Sequence, residues 1–167
     1  DARTKEASLT STRAKPFLKW AGGKGQLLKE IEQYYPFSKD TTITKYAEPF
    51  VGGGAVLFDI LNKFKLQEVY ISDINAELIN TYTVIRDDID ALLGVLRHFE
   101  NNYLALDNDD RKEVYLAKRA RFNELKSKKE NRIELAALMI FLNKTCFNGL
   151  YRVNRKGEYN VPMGAYK

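Results

Sequence analysis

Three consecutive glycines, Gly52 to Gly54, stand where a predicted strand gives way to a predicted helix. The β-branched segment 42–46 predicts a strand before them, and 68–72 predicts a second strand further along. Between the two, apolar residues recur at helical spacing (Val56, Leu57, Ile60, Leu61 and Phe64). A strand, a glycine loop, a helix and a strand form a βαβ unit, so we expect an α/β fold with a parallel sheet and a right-handed crossover.

This glycine loop has the features of a nucleotide-like binding site. Glycines let the backbone approach a ligand closely and expose amides at a helix N-terminus. Asp73 follows Gly54 by 19 residues, at the end of the second predicted strand, where a doubly wound sheet places a carboxylate beside a ribose. A tight turn followed by an aspartate that caps the next helix is the simpler alternative. A nicotinamide site needs a small residue where Leu57 stands, and a P-loop needs glycine where Leu18 stands.

The rest of the chain is predicted to be mainly helical. Residues 1–14 are polar and predict a flexible leader, residues 15–80 an N-terminal cofactor-binding domain, and residues 81–167 a second domain. Apolar spacing predicts helices at 27–35, 78–82, 89–103, 111–127 and 133–141, the fourth capped by the polar segment 107–110, and alternation predicts a hairpin at 150–161.

Positive charge is concentrated in the C-terminal half. The formal net charge is +5, whereas residues 111–132 alone hold nine Lys or Arg and three Glu. Arg and Asn alternate with aromatic residues over 143–154, and these side chains are the ones that read base edges and stack on bases. A nucleic-acid partner is therefore favoured. The alternatives are a solvated polar hairpin and a solvated basic helix, although that helix would also suit phosphate contacts.

Composition excludes several classes of protein. One cysteine, Cys146, and one histidine, His98, are too few for a zinc site or a disulfide. No apolar run approaches the roughly 18 residues of a membrane helix, and no secretory signal is evident. We therefore expect a cytoplasmic protein without a membrane or metal partner.

Four motifs in order carry a resemblance to a known family. They are Lys19-Trp20-Ala21-Gly22-Gly23-Lys24, Glu48-Pro49-Phe50-Val51-Gly52-Gly53-Gly54, Ser72-Asp73-Ile74-Asn75 and Phe147-Asn148-Gly149-Leu150-Tyr151-Arg152. From about residue 16 to 167 the chain resembles the Dam/DpnII (D12) class of DNA adenine-N6 methyltransferases. The resemblance implies part of a Rossmann-like S-adenosylmethionine-dependent core, with an inserted helical target-recognition domain that carries a β-hairpin.

The resemblance also implies a reaction and its binding residues. The methyl group of S-adenosylmethionine would pass to N6 of a flipped adenine in a short site in double-stranded DNA similar to GATC. The implied cofactor-binding residues are Trp20, Ala21, Gly22, Lys24, Glu48, Pro49, Phe50, Gly52, Gly54, Asp73 and Ile74. The implied DNA-binding residues are Lys19, Asn148, Leu150, Arg152, Asn160 and Tyr166.

The sequence departs from the family in two places. Members commonly carry Gly-Arg-Tyr-Lys where this chain has Gly164-Ala165-Tyr166-Lys167, so one positive contact is missing. The catalytic Asp-Pro-Pro-Tyr motif is absent, and the nearest match is Asn160-Val161-Pro162-Met163. We therefore expect no catalytic residue in this chain and interpret it as an N-terminal portion, completed by a second polypeptide or a missing C-terminal segment. A non-catalytic DNA-binding module with a vestigial cofactor fold, and a fragment of a nicotinamide oxidoreductase, are the alternatives.

Overall fold

The computed structural model describes residues 13–36 and 43–165. Within these, strands β1 (Lys45–Glu48) and β2 (Glu68–Ile71) pair in parallel, with Lys45 opposite Glu68 and Glu48 opposite Ile71. Helix α2 (Ala55–Lys63) connects them. The expected order of strand, glycine loop, helix and strand is thus confirmed, and the fold is a mixed α/β structure with a small parallel sheet.

Helix α2 buries most of the predicted apolar stripe. Val56, Leu57 and Ile60 are buried, whereas Leu61 is 42% exposed, so Leu61 lies at the edge of the stripe. The β1 strand begins three residues later than the start of segment 42–46 and continues to Glu48, next to the glycine loop. Thr42 itself lies outside the described residues.

The predicted first helix is shorter than expected and only partly buried. A 3-10 helix (Lys24–Leu27) leads into helix α1 (Leu28–Glu32). Leu27 is 50% exposed and Tyr34 is 84% exposed, so the apolar side chains of the predicted helix 27–35 are not all buried. A helix of about one turn has too little length to present a continuous apolar stripe.

Four longer helices form the second part of the described chain. They are α3 (Ala76–Asp87), α4 (Ile89–Leu104), α5 (Asn108–Lys128) and α6 (Arg132–Thr145). Helix α6 contacts the other three, and almost every residue from Leu135 to Asn143 is buried. A helix that is apolar on all sides is stable only when surrounded, so α6 is the centre of this core.

Helix α5 begins where the polar break predicts a cap. The Asp107 side chain accepts a hydrogen bond from the Asp110 amide at 2.9 Å. The basic side chains of α5 are mostly engaged within the protein: Arg121 pairs with Glu124 and Glu134, and Lys128 with Glu124. Arg121 and Lys128 thus have carboxylate partners within the protein, and phosphate contacts from this helix stay a prediction.

The predicted hairpin is present but has few ladder contacts. A 3-10 turn (Phe147–Gly149) precedes it, and isolated antiparallel bridges join Val153 to Tyr159 and Cys146 to Met163. Helix α5 holds the returning arm, since Asn123 accepts from the Tyr159 amide at 2.8 Å and donates to its carbonyl at 3.0 Å.

The predicted domain boundary and the predicted leader can be compared with the structure only in part. The boundary between residues 80 and 81 falls inside α3 and stays a prediction. The leader falls mostly on residues 1–12, outside the described part of the chain, but Ala14 exchanges two hydrogen bonds with Asn62. In the described ranges no helix has the length and apolar character to cross a bilayer, and no three His, Cys, Asp or Glu side chains group as metal ligands.

Candidate functional site

A cleft of about 860 Å³ opens at the carboxyl ends of β1 and β2. This size is within the roughly 300–1,000 Å³ range of small-molecule sites. The carboxyl ends of parallel strands meet at one edge, which is where α/β sheets bind ligands. Nearly all the predicted cofactor residues line it: Trp20, Ala21, Gly22, Lys24, Glu48, Phe50, Gly52, Gly54, Asp73 and Ile74. Pro49 is not among the lining residues.

The glycine loop forms one wall of this cleft and needs glycine for two different reasons. Gly52 and Gly54 have φ of +52° and +80°, a region that other residues enter with strain. Space is also limited, since a Cβ on Gly52 would lie 3.0 Å from Cδ1 of Trp20. The loop backbone therefore lies against the indole, with no room for a side chain between them.

Asp73 lies just after the end of β2 and holds the glycine loop in place. Its Oδ2 accepts a hydrogen bond from the Gly52 amide at 3.0 Å, and its Oδ1 accepts one from the Asn75 amide at 2.9 Å. Capping of α3 is done by Asn75, whose side chain accepts from the Leu78 amide. The alternative in which Asp73 caps the next helix is therefore wrong. A carboxylate has about four lone-pair sites, so each oxygen of Asp73 keeps capacity for a further donor.

Charges of both signs face each other across the cleft. Lys24 Nζ lies 3.5 Å from Glu48 Oε1, and the side chains of Lys24 and Glu48 are 41% and 6% exposed. Glu48 Oε2 accepts a hydrogen bond from Tyr46 at 2.8 Å, while Oε1 has no hydrogen-bond partner within the described residues. Burial raises the pKa of the Tyr46 hydroxyl, and the hydrogen bond to Glu48 adds to the shift. A buried carboxylate oxygen without a hydrogen-bond partner, such as Glu48 Oε1, is suited to a ligand that carries its own hydrogen-bond donor.

Two apolar side chains at the cleft are exposed to solvent. Phe50 is 75% exposed and Ile74 is 97% exposed. Phe50 also has a positive φ of 61°, which costs free energy in a residue other than glycine. Apolar groups beside a few polar ones are typical of small-molecule sites.

Sequence reasoning missed two residues that organise the site. The Tyr82 hydroxyl donates to the Gly52 carbonyl at 2.9 Å, so α3 also holds the loop. Asn143, 5% exposed, accepts from the Lys19 amide and donates to the Lys19 and Gly149 carbonyls. Tyr82 was predicted only as part of an apolar face. Asn143 is predicted only as one of the Asn residues of the base-reading segment 143–154, and not as the residue that holds Lys19 and Gly149.

The structure brings most of the predicted DNA-binding residues together beside this cleft. A Cβ on Gly149 would lie 2.7 Å from Cβ and Cδ of Lys19, so Lys19 packs directly against the Asn148–Arg152 segment. Asn148 is exposed with φ of 54°, and Leu150 is 37% exposed. Tyr166 lies outside the described residues.

Arg152 and Asn160 lie opposite each other on the two arms of the hairpin. The Arg152 side chain donates from Nε to Asn160 Oδ1 at 2.8 Å and from Nη2 to the Asn160 carbonyl at 3.2 Å. The guanidinium is thus held in a defined direction on an exposed surface. Because one Arg152 nitrogen, Nη1, makes neither of these two bonds, the group keeps donors for a ligand.

The sequence profile of the family described as D12 class N6 adenine-specific DNA methyltransferase matches residues 20–167. The chain belongs to this family. Within it, the chain is 52% identical over 154 residues to the type II methyltransferase M.MjaIII of Methanocaldococcus jannaschii, which covers 92% of this chain and 53% of that protein. It is 39% identical over 166 residues to a DNA adenine methylase of Haemophilus influenzae, covering 99% and 52%.

Other relatives give the same picture for this D12 chain. A DNA N-6-adenine-methyltransferase of Escherichia phage P1 is 38% identical over 173 residues, covering 99% of this chain and 21% of that protein. The chain spans about half the length of M.MjaIII and of the Haemophilus influenzae methylase. Both names specify methyl transfer, and the second specifies adenine in DNA.

Proposed function

We propose that this chain supplies the cofactor cleft and a DNA-reading segment of a D12 class methyltransferase, which transfers the methyl group of S-adenosylmethionine to N6 of adenine in double-stranded DNA. A Rossmann-like core with an inserted target-recognition domain is the architecture we propose for it. The observation that carries the proposal is the adjacency of the cleft to the Asn148–Arg152 segment. The rings of Trp20 and Tyr151 are in contact, with centroids 5.5 Å apart and planes tilted by 33°, and Lys19 packs on Gly149.

The residues present fit S-adenosylmethionine. Asp73 would accept from the ribose hydroxyls with its remaining lone pairs, while it holds the Gly52 amide in place. Glu48 would bind the ammonium group of the methionine part and Lys24 its carboxylate, since the two side chains present opposite charges in one cleft. Phe50 and Ile74 would cover the apolar faces of the adenosine.

The remaining proposed cofactor residues line the cleft through small or backbone groups. Ala21 and Gly22 lie between Trp20 and Lys24, and Gly54 ends the loop as the residue before α2. When bound, the cofactor supplies an electrophilic methyl group on a sulfonium centre. No residue of this sequence is assigned to the methyl-transfer step itself.

On the DNA side, Arg152 would read guanine and the Asn residues would read adenine. A guanidinium bonds O6 and N7 of guanine together, and an Asn amide bonds N6 and N7 of adenine. Asn148 and Leu150 precede Arg152 on one exposed segment. Asn160 lies opposite Arg152 on the other arm of the hairpin, and Lys19 adds a cation beside Gly149. We keep Tyr166 as a proposed contact.

Calorimetric titration with S-adenosylmethionine tests the cofactor proposal. We expect the wild-type chain to bind it and not to bind NAD. Asp73→Ala should weaken binding by about ten- to a hundredfold, the value of a hydrogen bond to a charged group. Glu68→Gln changes an acid at the other end of β2, outside the cleft, and should leave the affinity unchanged.

A second variant separates binding from loop support in this experiment. Asp73→Ala also removes the hydrogen bonds to the Gly52 and Asn75 amides. Tyr82→Phe loosens the same loop, because it removes the bond to the Gly52 carbonyl, but it leaves the carboxylate. We expect Tyr82→Phe to weaken binding less than Asp73→Ala. Equal losses would remove Asp73 from the ribose site, and a wild-type chain that binds only DNA would favour the non-catalytic module.

Fluorescence anisotropy with a panel of duplexes tests the reading segment. The panel holds GATC and its single base-pair changes, each at two salt concentrations. Arg152→Ala should lose about 1–3 kcal/mol of discrimination at one base pair. Arg155→Ala removes the same charge from the exposed tip of the hairpin, and it should weaken all duplexes evenly. If Arg152→Ala also weakens all duplexes evenly, Arg152 is a phosphate contact and not a reader.

A further inference from the structure

Tyr151 is the residue of the DNA-reading segment that packs against a residue of the cofactor cleft. Its ring centroid is 5.5 Å from that of Trp20, with the planes tilted by 33°. The indole of Trp20 contacts the glycine loop as well, since a Cβ on Gly52 would lie 3.0 Å from its Cδ1. Tyr151 therefore packs on a cleft residue whose position the glycine loop also restricts.

The hydroxyl of Tyr151 is held by two charged side chains from different helices. It donates to Glu77 Oε2 of α3 at 3.1 Å and accepts from Lys126 Nζ of α5 at 3.2 Å. Glu77 and Lys126 also pair at 3.6 Å, and their side chains are only 13% and 23% exposed. Lys126 thus points into the protein and is not a free phosphate contact. Hydrogen bonds and ion pairs are stronger in such a poorly solvated environment, so Glu77 and Lys126 restrain the Tyr151 hydroxyl to one position.

Two of these residues, Glu77 and Tyr151, are connected along the chain to the two proposed binding sites. Glu77 follows Asp73 by four residues, in the first turn of α3. Tyr151 directly precedes Arg152, whose side chain is bonded to Asn160. A displacement of Tyr151 that includes its backbone would therefore move Arg152 and would also change the packing on Trp20.

We infer that Tyr151, Glu77 and Lys126 are positioning residues that couple cofactor binding to DNA binding. This inference rests on the proposed function. A ligand in the cleft that restrains Trp20 also restrains Tyr151, so the reading segment is already ordered when DNA arrives. The first ligand then bears the entropy cost of ordering the segment, and the second ligand binds to a segment that is already ordered. The result is positive cooperativity. By linkage, DNA increases the affinity for the cofactor by the same factor.

The coupling factor is the quantity to measure, as the ratio of DNA dissociation constants without and with S-adenosylhomocysteine. That ligand has no methyl group to transfer. We expect a factor of about five or more for the wild-type chain, at the lower end of known couplings. In Tyr151→Leu the factor should fall to about 1, because the ring and its hydroxyl bonds are both lost. Tyr151→Phe and Glu77→Gln keep the ring and should give intermediate values.

A matched control and a spectroscopic signal accompany this measurement. Tyr34 is 84% exposed, and Tyr34→Leu should leave the coupling factor as in the wild-type chain. Trp20 is the only tryptophan in the chain, so its emission should change when DNA binds the wild-type chain and not when DNA binds Tyr151→Leu. A role in folding alone would lower the unfolding midpoint but leave the ratio of the two dissociation constants unchanged.

The outcomes separate the inference from the proposed function. A wild-type chain that binds both probes with a factor of 1, or a Tyr151→Leu chain that keeps the wild-type factor, overturns the inference and leaves the proposed function intact. A wild-type chain that fails to bind either DNA or S-adenosylhomocysteine overturns the corresponding part of the proposed function, and the coupling inference with it.

Discussion

Gly54 shows at the scale of one residue how the cleft depends on its surroundings. Its φ is +80°, and a Cβ there would lie 2.6 Å from the Tyr82 hydroxyl and 2.9 Å from Cε2 of Phe58. That hydroxyl is the group that holds the Gly52 carbonyl. A single methyl group at Gly54 would therefore both strain the backbone and displace the contact that fixes the loop.

We expect Gly54→Ala to lower the free energy of unfolding by about 2–4 kcal/mol, from backbone strain and overpacking together. Urea denaturation measures the change. Gly94→Ala is the matched control: Gly94 lies in α4 with nothing within 4 Å of the added Cβ. It should gain about 0.5–1 kcal/mol, because alanine favours a helix. Similar effects of the two substitutions would show that Gly54 is replaceable.

At the scale of elements, α5 stabilises the hairpin through side chains and not through a sheet. Asn123 exchanges two hydrogen bonds with the Tyr159 backbone, as a strand partner would. Tyr115 adds a bond from its hydroxyl to the Val161 carbonyl at 2.7 Å, and Arg119 donates to the same carbonyl at 3.1 Å. The returning arm of the hairpin therefore depends on α5 for its order.

Asn123→Ala should cost about 2 kcal/mol or more, because it leaves the Tyr159 amide and carbonyl without partners. Hydrogen exchange at the Asn160 amide, which donates to Arg152 within the hairpin, should become faster. Asn102→Ala removes an exposed amide from α4 that bonds only to His98 among the described residues. It should change stability by less than about 0.5 kcal/mol. Unchanged exchange at Asn160 in Asn123→Ala would show that the hairpin is held by its own turn.

At the scale of the whole molecule, buried tyrosines make the free energy of unfolding vary with pH in the alkaline range. Burial raises the pKa of Tyr115 to about 12, and burial also raises the pKa values of Tyr82, Tyr151 and Tyr159. In the unfolded chain these hydroxyls ionise near pH 10. Their contribution to stability is thus complete below about pH 10 and is lost as the pH rises through the folded values.

We expect the free energy of unfolding to fall between about pH 10 and pH 12, because the folded state keeps protons that the unfolded state has released. In Tyr115→Phe the free energy of unfolding should fall less steeply, by about 1.4 kcal/mol per pH unit. That is the slope contributed by one proton that the folded state keeps and the unfolded state releases. Urea midpoints at half-unit pH steps, with tyrosinate absorbance alongside, measure both slopes. Equal slopes for the two proteins would contradict the burial of an ionisable Tyr115.

The local pattern of the chain was enough to predict the parallel βαβ start, the helices from α3 to α6 and most of the cleft. Residues on one strand, one loop and the next strand reach the same sheet edge whatever the rest of the chain does. The glycines and Asp73 could thus be placed together from spacing alone. Local spacing could not predict the number of ladder contacts in the hairpin, the exposure of Leu27 or the direction of the Lys126 side chain. Each of these depends on residues far away in the sequence.

What the sequence determined by itself was the family, the order of elements and the types of side chain at the cleft. Only the tertiary structure decided which groups keep the cleft residues in place. Tyr82 bonds to Gly52 and Asn143 bonds to Lys19. Tyr151 contacts Trp20 and bonds to Glu77 and Lys126. The physical reason is sequence separation. Asn143 meets Lys19 across 124 residues and Tyr151 meets Glu77 across 74, and no local periodicity encodes a contact between helices and loops so far apart.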